Sequence, residues 1–286
     1  MANIRLISRR IKGIQNTAKI TRAMEMIAAS KMRRAQERGL AGRPYSEKII
    51  QVISALAAMP AEGKALHLLL QRRRPVKKIT LIHITPDRGL AGGLVANINR
   101  KTAKFILEQD VPVSVIAVGR KGLDFFRRTG QKVIAEFVGL GGRPGLLDTL
   151  PISHIIIDDF SGAAIDEVYI ARTRFISTMV QEPVIQRLLP VEPAPIPAPE
   201  NVDYIYEPGP TEVLGGLLPR FVEMQVYHAI LEAIASEQSA RMVSMRNATE
   251  NANEIVEELT LAYNKVRQEM ITNELLDITG GTAALT

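Results

Sequence analysis

The chain has 286 residues, no cysteine, no tryptophan and a formal charge of +6. The lack of cysteine excludes disulfides, zinc–thiolate centres and thiol nucleophiles, and no apolar run approaches the roughly 18 residues that span a membrane. The four histidines, His67, His83, His154 and His228, are scattered without a ligand-like neighbour three or four residues away, so neither a metal nor another cofactor is expected.

Residues 1–58 read as one helix. A heptad seam runs through Ile4, Ile7, Ile11, Ile14, Ala18, Thr21, Glu25, Ala28, Met32 and Ala35 and resumes in phase at Ile49, Ile53 and Leu56. Ile20, Met24 and Ile27 form a second apolar stripe on another face. A two-stranded coil has one seam, so this stripe faces either a third packed element of the same chain or a partner protein. Gly39, Gly42 and Pro44 predict an interruption or a change of neighbour. The basic N-terminus lacks an apolar h-region and a small-residue cleavage site, so it reads as structural rather than secretory.

Residues 59–75 read as a linker whose Arg72, Arg73 and Arg74 form a solvated basic tip. From Val76 the period changes. Strands are expected within 76–85, 111–118, 132–138, 167–177 and 183–191, and helices over 94–108, 121–128 and 152–160. This alternation predicts a Rossmann-like α/β domain with a largely parallel sheet. A Pro-rich surface connection, 190–199, leads to a last short strand at 202–208.

The final helix carries an unbroken seam, Leu217, Phe221, Met224, His228, Leu231, Ala235, Gln238, Met242, Met245, Thr249, Ala252, Val256, Leu259, Tyr263, Val266, Met270 and Asn273, with Pro219 expected in its first turn. Sixty such residues span roughly 90 Å, which demands a long partner. The N-terminal helix supplies one of opposite charge. Between Arg5 and Arg38 ten basic residues face two acidic ones, and between Glu212 and Asp277 eleven acidic residues face five basic ones. Antiparallel pairing matches residues whose numbers sum to about 270, placing Met24 opposite Arg246 and Ile4 opposite Val266. The C-terminal helix then continues alone through Ile271, Leu275 and Ile278 to a small, apolar end that includes Leu285. The organisation expected is therefore a coiled-coil helix at 1–58, an inserted α/β domain with linkers at 59–210, and a second coiled-coil helix at 211–286.

No motif argues for catalysis. The glycine-rich turn at 85–94 joins a strand to a helix but lacks both GK[ST] and GxGxxG, so it reads as a tight turn with solvent-facing Asp87 and Arg88. The glycines of 138–145 are not followed clearly by a helix. Asp158 and Asp159, adjacent on a helix, point about 100° apart and cannot act as an acid–base pair. The basic N-terminal helix has no aromatic interleaving for nucleic acid, and much of its charge is matched by the C-terminal helix. A nucleotide-binding α/β protein with helical arms and a basic coiled coil on nucleic acid are the alternative readings.

Four stretches, IQNTAKITRAMEMIAASKMRRAQ (14–36), DRGLAGGL (87–94), SEQSARMVSMRNATENA (236–252) and YNKVRQEMITNELLDITGG (263–281), closely resemble the gamma subunit family of F-type ATP synthases. The resemblance runs essentially end to end. It implies a non-catalytic rotor: a central stalk, one copy per complex, that couples rotation of a membrane c-ring to conformational changes in catalytic beta subunits. The implied partners are the alpha and beta subunits, the epsilon subunit and the c-ring, with attachment to the membrane only through that ring. By the same resemblance Met24 couples rotation to catalysis, Lys31, Arg33 and Arg34 face acidic loops of the beta subunits, and Arg267 and Gln268 hydrogen-bond a beta-subunit loop. Ile271, Leu275, Ile278 and Leu285 sit in an apolar sleeve of the hexamer. This sequence has Ala91 where the family often has Cys, and Thr282 where it usually has Ala. It lacks the cysteine pair of the plastid form, so no redox switch is expected. The absence of a transit peptide points to the cytoplasmic face of a bacterial plasma membrane.

Overall fold

A computed structural model describes residues 2–58, 67–192 and 207–283. It has five helices, α1 (Ala2–Ala58), α2 (Leu94–Leu107), α3 (Arg120–Thr129), α4 (Leu146–Ser161) and α5 (Pro210–Ala283), and five strands, β1 (Ile79–Ile84), β2 (Val113–Val118), β3 (Val133–Phe137), β4 (Glu167–Phe175) and β5 (Gln181–Leu189). The chain divides into two compact units, residues 1–28 with 241–286, and residues 29–240. Both α1 and α5 contribute to each unit.

In the larger unit the strands form one sheet in the order β3-β2-β1-β4-β5. β1, β2, β3 and β4 pair in parallel, and β5 pairs antiparallel with β4. This is the expected α/β layout. The strands show why a parallel sheet reads as continuous apolar runs: all six residues of central β1 are buried, because both faces are covered. Ile82, Ile84, Ile116, Val118, Val168 and Ile170 pack with Ile152, Ile156 and Phe160 of α4 and with Leu218, Val222, Val226 and Ile230 of α5. Their alternates Ile79, Leu81, Val113 and Ala171 pack with Ile98 of α2. Each fully buried Ile or Leu contributes about 1.5–3 kcal/mol relative to exposure.

Several local expectations are corrected. α1 is not broken at Gly39, Gly42 or Pro44; all three lie inside one helix. Gly42 is instead a point of close approach, since a Cβ there would lie 2.3 Å from Cε1 of His228 on α5. Pro219 is not in the first turn. α5 starts at Pro210, a residue whose missing N–H costs nothing at a helix start, so Pro219 lies well inside. Its ring crowds the carbonyl of residue 215, which is a glycine. α4 begins at Leu146, earlier than the apolar run suggested, with Asp148 accepting from the Gly145 N–H at 2.7 Å. Residues 202–206 of the strand expected at 202–208 and most of the Pro-rich connection lie outside the described residues, and Glu207 and Pro208 form a bend rather than a strand; Pro190 and Val191 are buried, and the Val191 N–H donates to the Leu69 carbonyl.

Arg73 is not a solvated tip residue. Its guanidinium donates to the carbonyls of Ile165 (2.7 Å) and Phe160 (2.6 Å) and lies 4.6 Å above the Phe160 ring. It ties the approach to β1 onto the end of α4.

Candidate functional site

In the smaller unit the heptad seams meet as their spacing requires. Ile4, Ile7, Ile11 and Ile14 are half-buried, and Ala18, Thr21 and Ala28 are buried; from α5, Met245, Thr249 and Ala252 are buried and Val256, Leu259, Tyr263, Val266 and Met270 half-buried. Two bonds fix the register. The Thr21 and Thr249 hydroxyls are 2.7 Å apart, and Arg246 Nε donates to Glu25 Oε1 at 3.0 Å. Both pairs fall on the expected antiparallel register near 270. In the larger unit Gly42 and His228 obey the same sum. Arg246 reaches Glu25, the neighbour of Met24, because the seam residue there is a carboxylate.

The second stripe of α1 is open. Ile20 is 61% and Ile27 55% exposed, while Met24 is half-buried. Among the described residues Ile20 and Ile27 therefore keep more than half of their surface open. On α5, Arg267 and Gln268 are exposed, and every residue from 271 to 276 is exposed, including Ile271 at 49% and Leu275 at 58%. Ile278 is helical, but its side chain, and Leu285 entirely, lie outside the described residues.

In the larger unit Lys31, Arg33 and Arg34 are exposed on α1. Lys31 runs beside the glycine-rich loop that follows β3: a Cβ on Gly142 would lie 3.9 Å from Lys31 Cδ. The C-terminal ends of β1 and β2 form the crevice where doubly wound sheets bind their ligands. Here the cavity is only about 50 Å³, and Ile230, Ala233, Ile234 and Glu237 of α5 form one of its walls. A small-molecule site needs roughly 300–1,000 Å³, several times this volume.

The glycine-rich turn after β1 is built to close that crevice. Asp87 is not solvent-facing: Oδ1 accepts from the Arg120 N–H at 2.9 Å and Oδ2 from the Gly139 N–H at 3.0 Å, joining three loops. Gly119, at φ +94°, comes so close to the turn that a Cβ would lie 1.8 Å from the Thr85 carbonyl oxygen. The turn itself carries Leu90 at φ +64°, exposed, and Ala91, buried against Leu94 and Ala240.

The buried ionisable groups of the α/β unit have structural partners. His83 lies fully buried in β1, with Nε2 2.9 Å from Asn99 Oδ1, Nδ1 3.1 Å from the Thr102 hydroxyl, and its ring edge-on to Phe126. Burial lowers its pKa to about 4, against a smaller opposing effect of the Asn99 bond. Arg172, lowered by burial and then by Arg174, pairs with Glu232 of α5. Asp158 is exposed and Asp159 half-buried, and the carbonyls of both accept from the turn that ends α4. Among the described residues no three acidic or histidine side chains are grouped to hold a metal, and no helix is long and apolar enough to cross a membrane.

Sequence reasoning missed the role of the Thr21–Thr249 pair, although a signal was present. Both residues are polar steps in otherwise apolar seams, and their numbers sum to 270.

Comparison with known proteins gives one consistent result. A family model described as ATP synthase matches residues 3–285. The ATP synthase gamma chain of Dehalococcoides mccartyi strain 195 is 68% identical over 285 residues, covering 100% of both chains. Among solved structures, the rotor of the Euglena gracilis mitochondrial ATP synthase in rotational state 1 is similar with a TM-score of 0.66 and 18% identity, over 94% of this chain and 99% of that one. The central stalk and c-ring of the Tetrahymena thermophila mitochondrial ATP synthase gives a TM-score of 0.61 at 24% identity, over 80% of this chain and 99% of its counterpart. At these identities the two structures establish a shared fold.

Proposed function

We infer from its membership of the ATP synthase gamma chain family, to which this chain belongs along its length, that it is the central-stalk rotor subunit of a proton-translocating ATP synthase. It couples rotation of a membrane c-ring to the catalytic states of the beta subunits and forms no catalytic site itself. Its partners are the alpha and beta subunits, the epsilon subunit and the c-ring, the last two at the α/β unit. It reaches the membrane through the ring, on the cytoplasmic face of a bacterial plasma membrane.

The observation that carries this reading is the overhang of α5. Past Met270 the helix continues to Ala283 while residues 271–276 are all exposed. A bare helical end bearing Ile271 and Leu275 suits an apolar sleeve. Apolar burial is non-directional, so such a contact changes little as the helix turns within it. Charge-assisted bonds are directional and rise and fall with angle. We therefore assign the bearing to Ile271, Leu275, Ile278 and Leu285. We assign the angle-dependent contacts to Lys31, Arg33, Arg34, Arg267 and Gln268, and coupling to Met24 beside the open stripe of Ile20 and Ile27. Each exposed cation that meets a desolvated carboxylate contributes about 1.5–3 kcal/mol. A difference of that size between rotary angles is what a coupling contact requires.

The test is stoichiometry. Mixed with alpha and beta subunits, the chain is expected to form one complex with a single copy per hexamer, measured by native mass spectrometry. Two or three copies would contradict a rotor, which must be unique in its ring. Direct nucleotide titration of the isolated chain is expected to give no stoichiometric binding, since α5 already lines the crevice.

A further inference from the structure

Within the unit of residues 1–28 and 241–286, the seam between the helices is interrupted by polar groups that meet. Thr21 and Thr249 are both buried, with their hydroxyl oxygens 2.7 Å apart. Thr21 Oγ1 also lies 3.1 Å from the Ala18 carbonyl and Thr249 Oγ1 2.8 Å from the Met245 carbonyl. Two hydroxyl protons serve these three contacts. One proton always crosses between the helices and the other returns to a carbonyl of its own helix, so both groups are satisfied in either arrangement. One turn away Glu25, its side chain 14% exposed, accepts from Arg246. Its second oxygen is buried without a hydrogen-bond partner among the described residues. A carboxylate so placed depends on the arginine it has.

Ala18, Ala28 and Ala252 flank this pair in the seam, and the buried Met245 lies one turn before Thr249. Methyl groups interlock shallowly, so the alanine contacts resist sliding poorly. Displacement by one turn would set Thr21 against Met245 or Asn253 and Glu25 against Met242 or Glu250. Each alternative loses the hydroxyl pair and strands or repels the carboxylate. Two rods joined by a smooth seam bend and twist separately, whereas a bond that resists shear makes them carry load together.

We propose that Thr21–Thr249 and Glu25–Arg246 form a shear pin, a set of positioning residues that locks α1 and α5 against sliding within this unit, so that load on one helix passes to the other. The consequence for coupling rests on the rotor reading; the pin itself does not.

The chain has no cysteine, which makes disulfide trapping a clean probe. In the assembled complex, Ala18→Cys with Ala252→Cys reports the native register, and Ala18→Cys with Val256→Cys reports a one-turn displacement. In a Thr21→Val, Thr249→Val background the displaced disulfide is expected to form about three- to tenfold faster, the population change that loss of one hydrogen bond allows. Thr21→Ser with Thr249→Ser keeps both hydroxyls and is expected to restore the parental rate. Equal rates in all three backgrounds, or serine behaving like valine, would overturn the pin. In reconstituted vesicles the valine background is expected to move fewer protons per ATP hydrolysed. Faster trapping with an unchanged ratio would overturn the coupling role. Failure to assemble at one copy per hexamer would overturn the rotor reading, and trapping in the isolated chain would then decide the pin alone.

Discussion

His83 is expected to make the α/β unit lose stability in mild acid. The ring is completely buried in the central strand and has an ordinary pKa of 6.5, lowered here to about 4 by loss of water. Above pH 7 it is neutral in both folded and unfolded chains. As pH falls through 6.5 the unfolded ring takes a proton that the folded ring refuses until about pH 4, so the unfolded state is favoured over that interval. The shift corresponds to about 3 kcal/mol when complete, and about 2 kcal/mol is already lost between pH 8 and pH 5. Urea unfolding followed by circular dichroism at those two pH values measures the loss. Other titrating groups contribute in the same window, so the quantity to compare is the difference between the parental chain and His83→Gln. The variant forfeits the ring contact with Phe126 and starts less stable, but its loss on acidification is expected to be smaller by about 2 kcal/mol. An equal loss in both proteins would refute the argument.

Three further outcomes follow from the geometry. Gly119→Ala places a Cβ 1.8 Å from the Thr85 carbonyl oxygen at φ +94°, where backbone must move; a destabilisation of roughly 2 kcal/mol, read as a fall in Tm of about 4–8 °C, is expected. Met24→Lys adds a charge beside the open stripe and is expected to lower the ratio of proton pumping to ATP hydrolysis in reconstituted vesicles, an unchanged ratio counting against the assigned role. Arg267→Ala is expected to lower ATP turnover of the assembled complex, by as much as the loss of one charge-assisted bond of about 1.5–3 kcal/mol, while leaving the melting of the isolated chain unchanged because the side chain is exposed.

What could be read from the sequence was what local periodicity encodes. Seams with steps of three and four predicted both long helices and, through the sum of 270, the register on which Thr21 and Thr249 meet. The apolar runs of 79–84 and 113–118 announced buried parallel strands. The misreadings arose where a residue's partner is distant in sequence. Arg73 looked like part of a solvated charge run because nothing local reveals the carbonyls of residues 160 and 165. Asp87 looked like a turn residue because the N–H groups it accepts from lie 33 and 52 positions on. Gly42 looked like a helix breaker because its reason is His228 on the other helix. Of the assigned site residues, exposure at Arg267, Gln268 and Ile271 follows from the N-terminal helix running out, which the charge and seam arithmetic anticipated. Which partner group each one meets is encoded in other chains.

The crevice of this doubly wound sheet is occupied in part by α5. The crevice at the ends of β1 and β2 is lined by Ile230 and Ile234, with 2% and 9% exposure, where such folds ordinarily admit a ligand. Ser236 and Ser239 on the same helix donate to the carbonyls of Thr173 and Thr178 at 2.9 Å each, fastening the end of β4 and the turn after it. Arg172 of β4 adds its ion pair with Glu232. The glycine-rich turn packs Ala91 against Ala240 of this helix, and its tight backbone serves that close packing. Residues 210–240 of α5 are gripped by this sheet, and the same uninterrupted helix supplies residues 241–283 to the smaller unit.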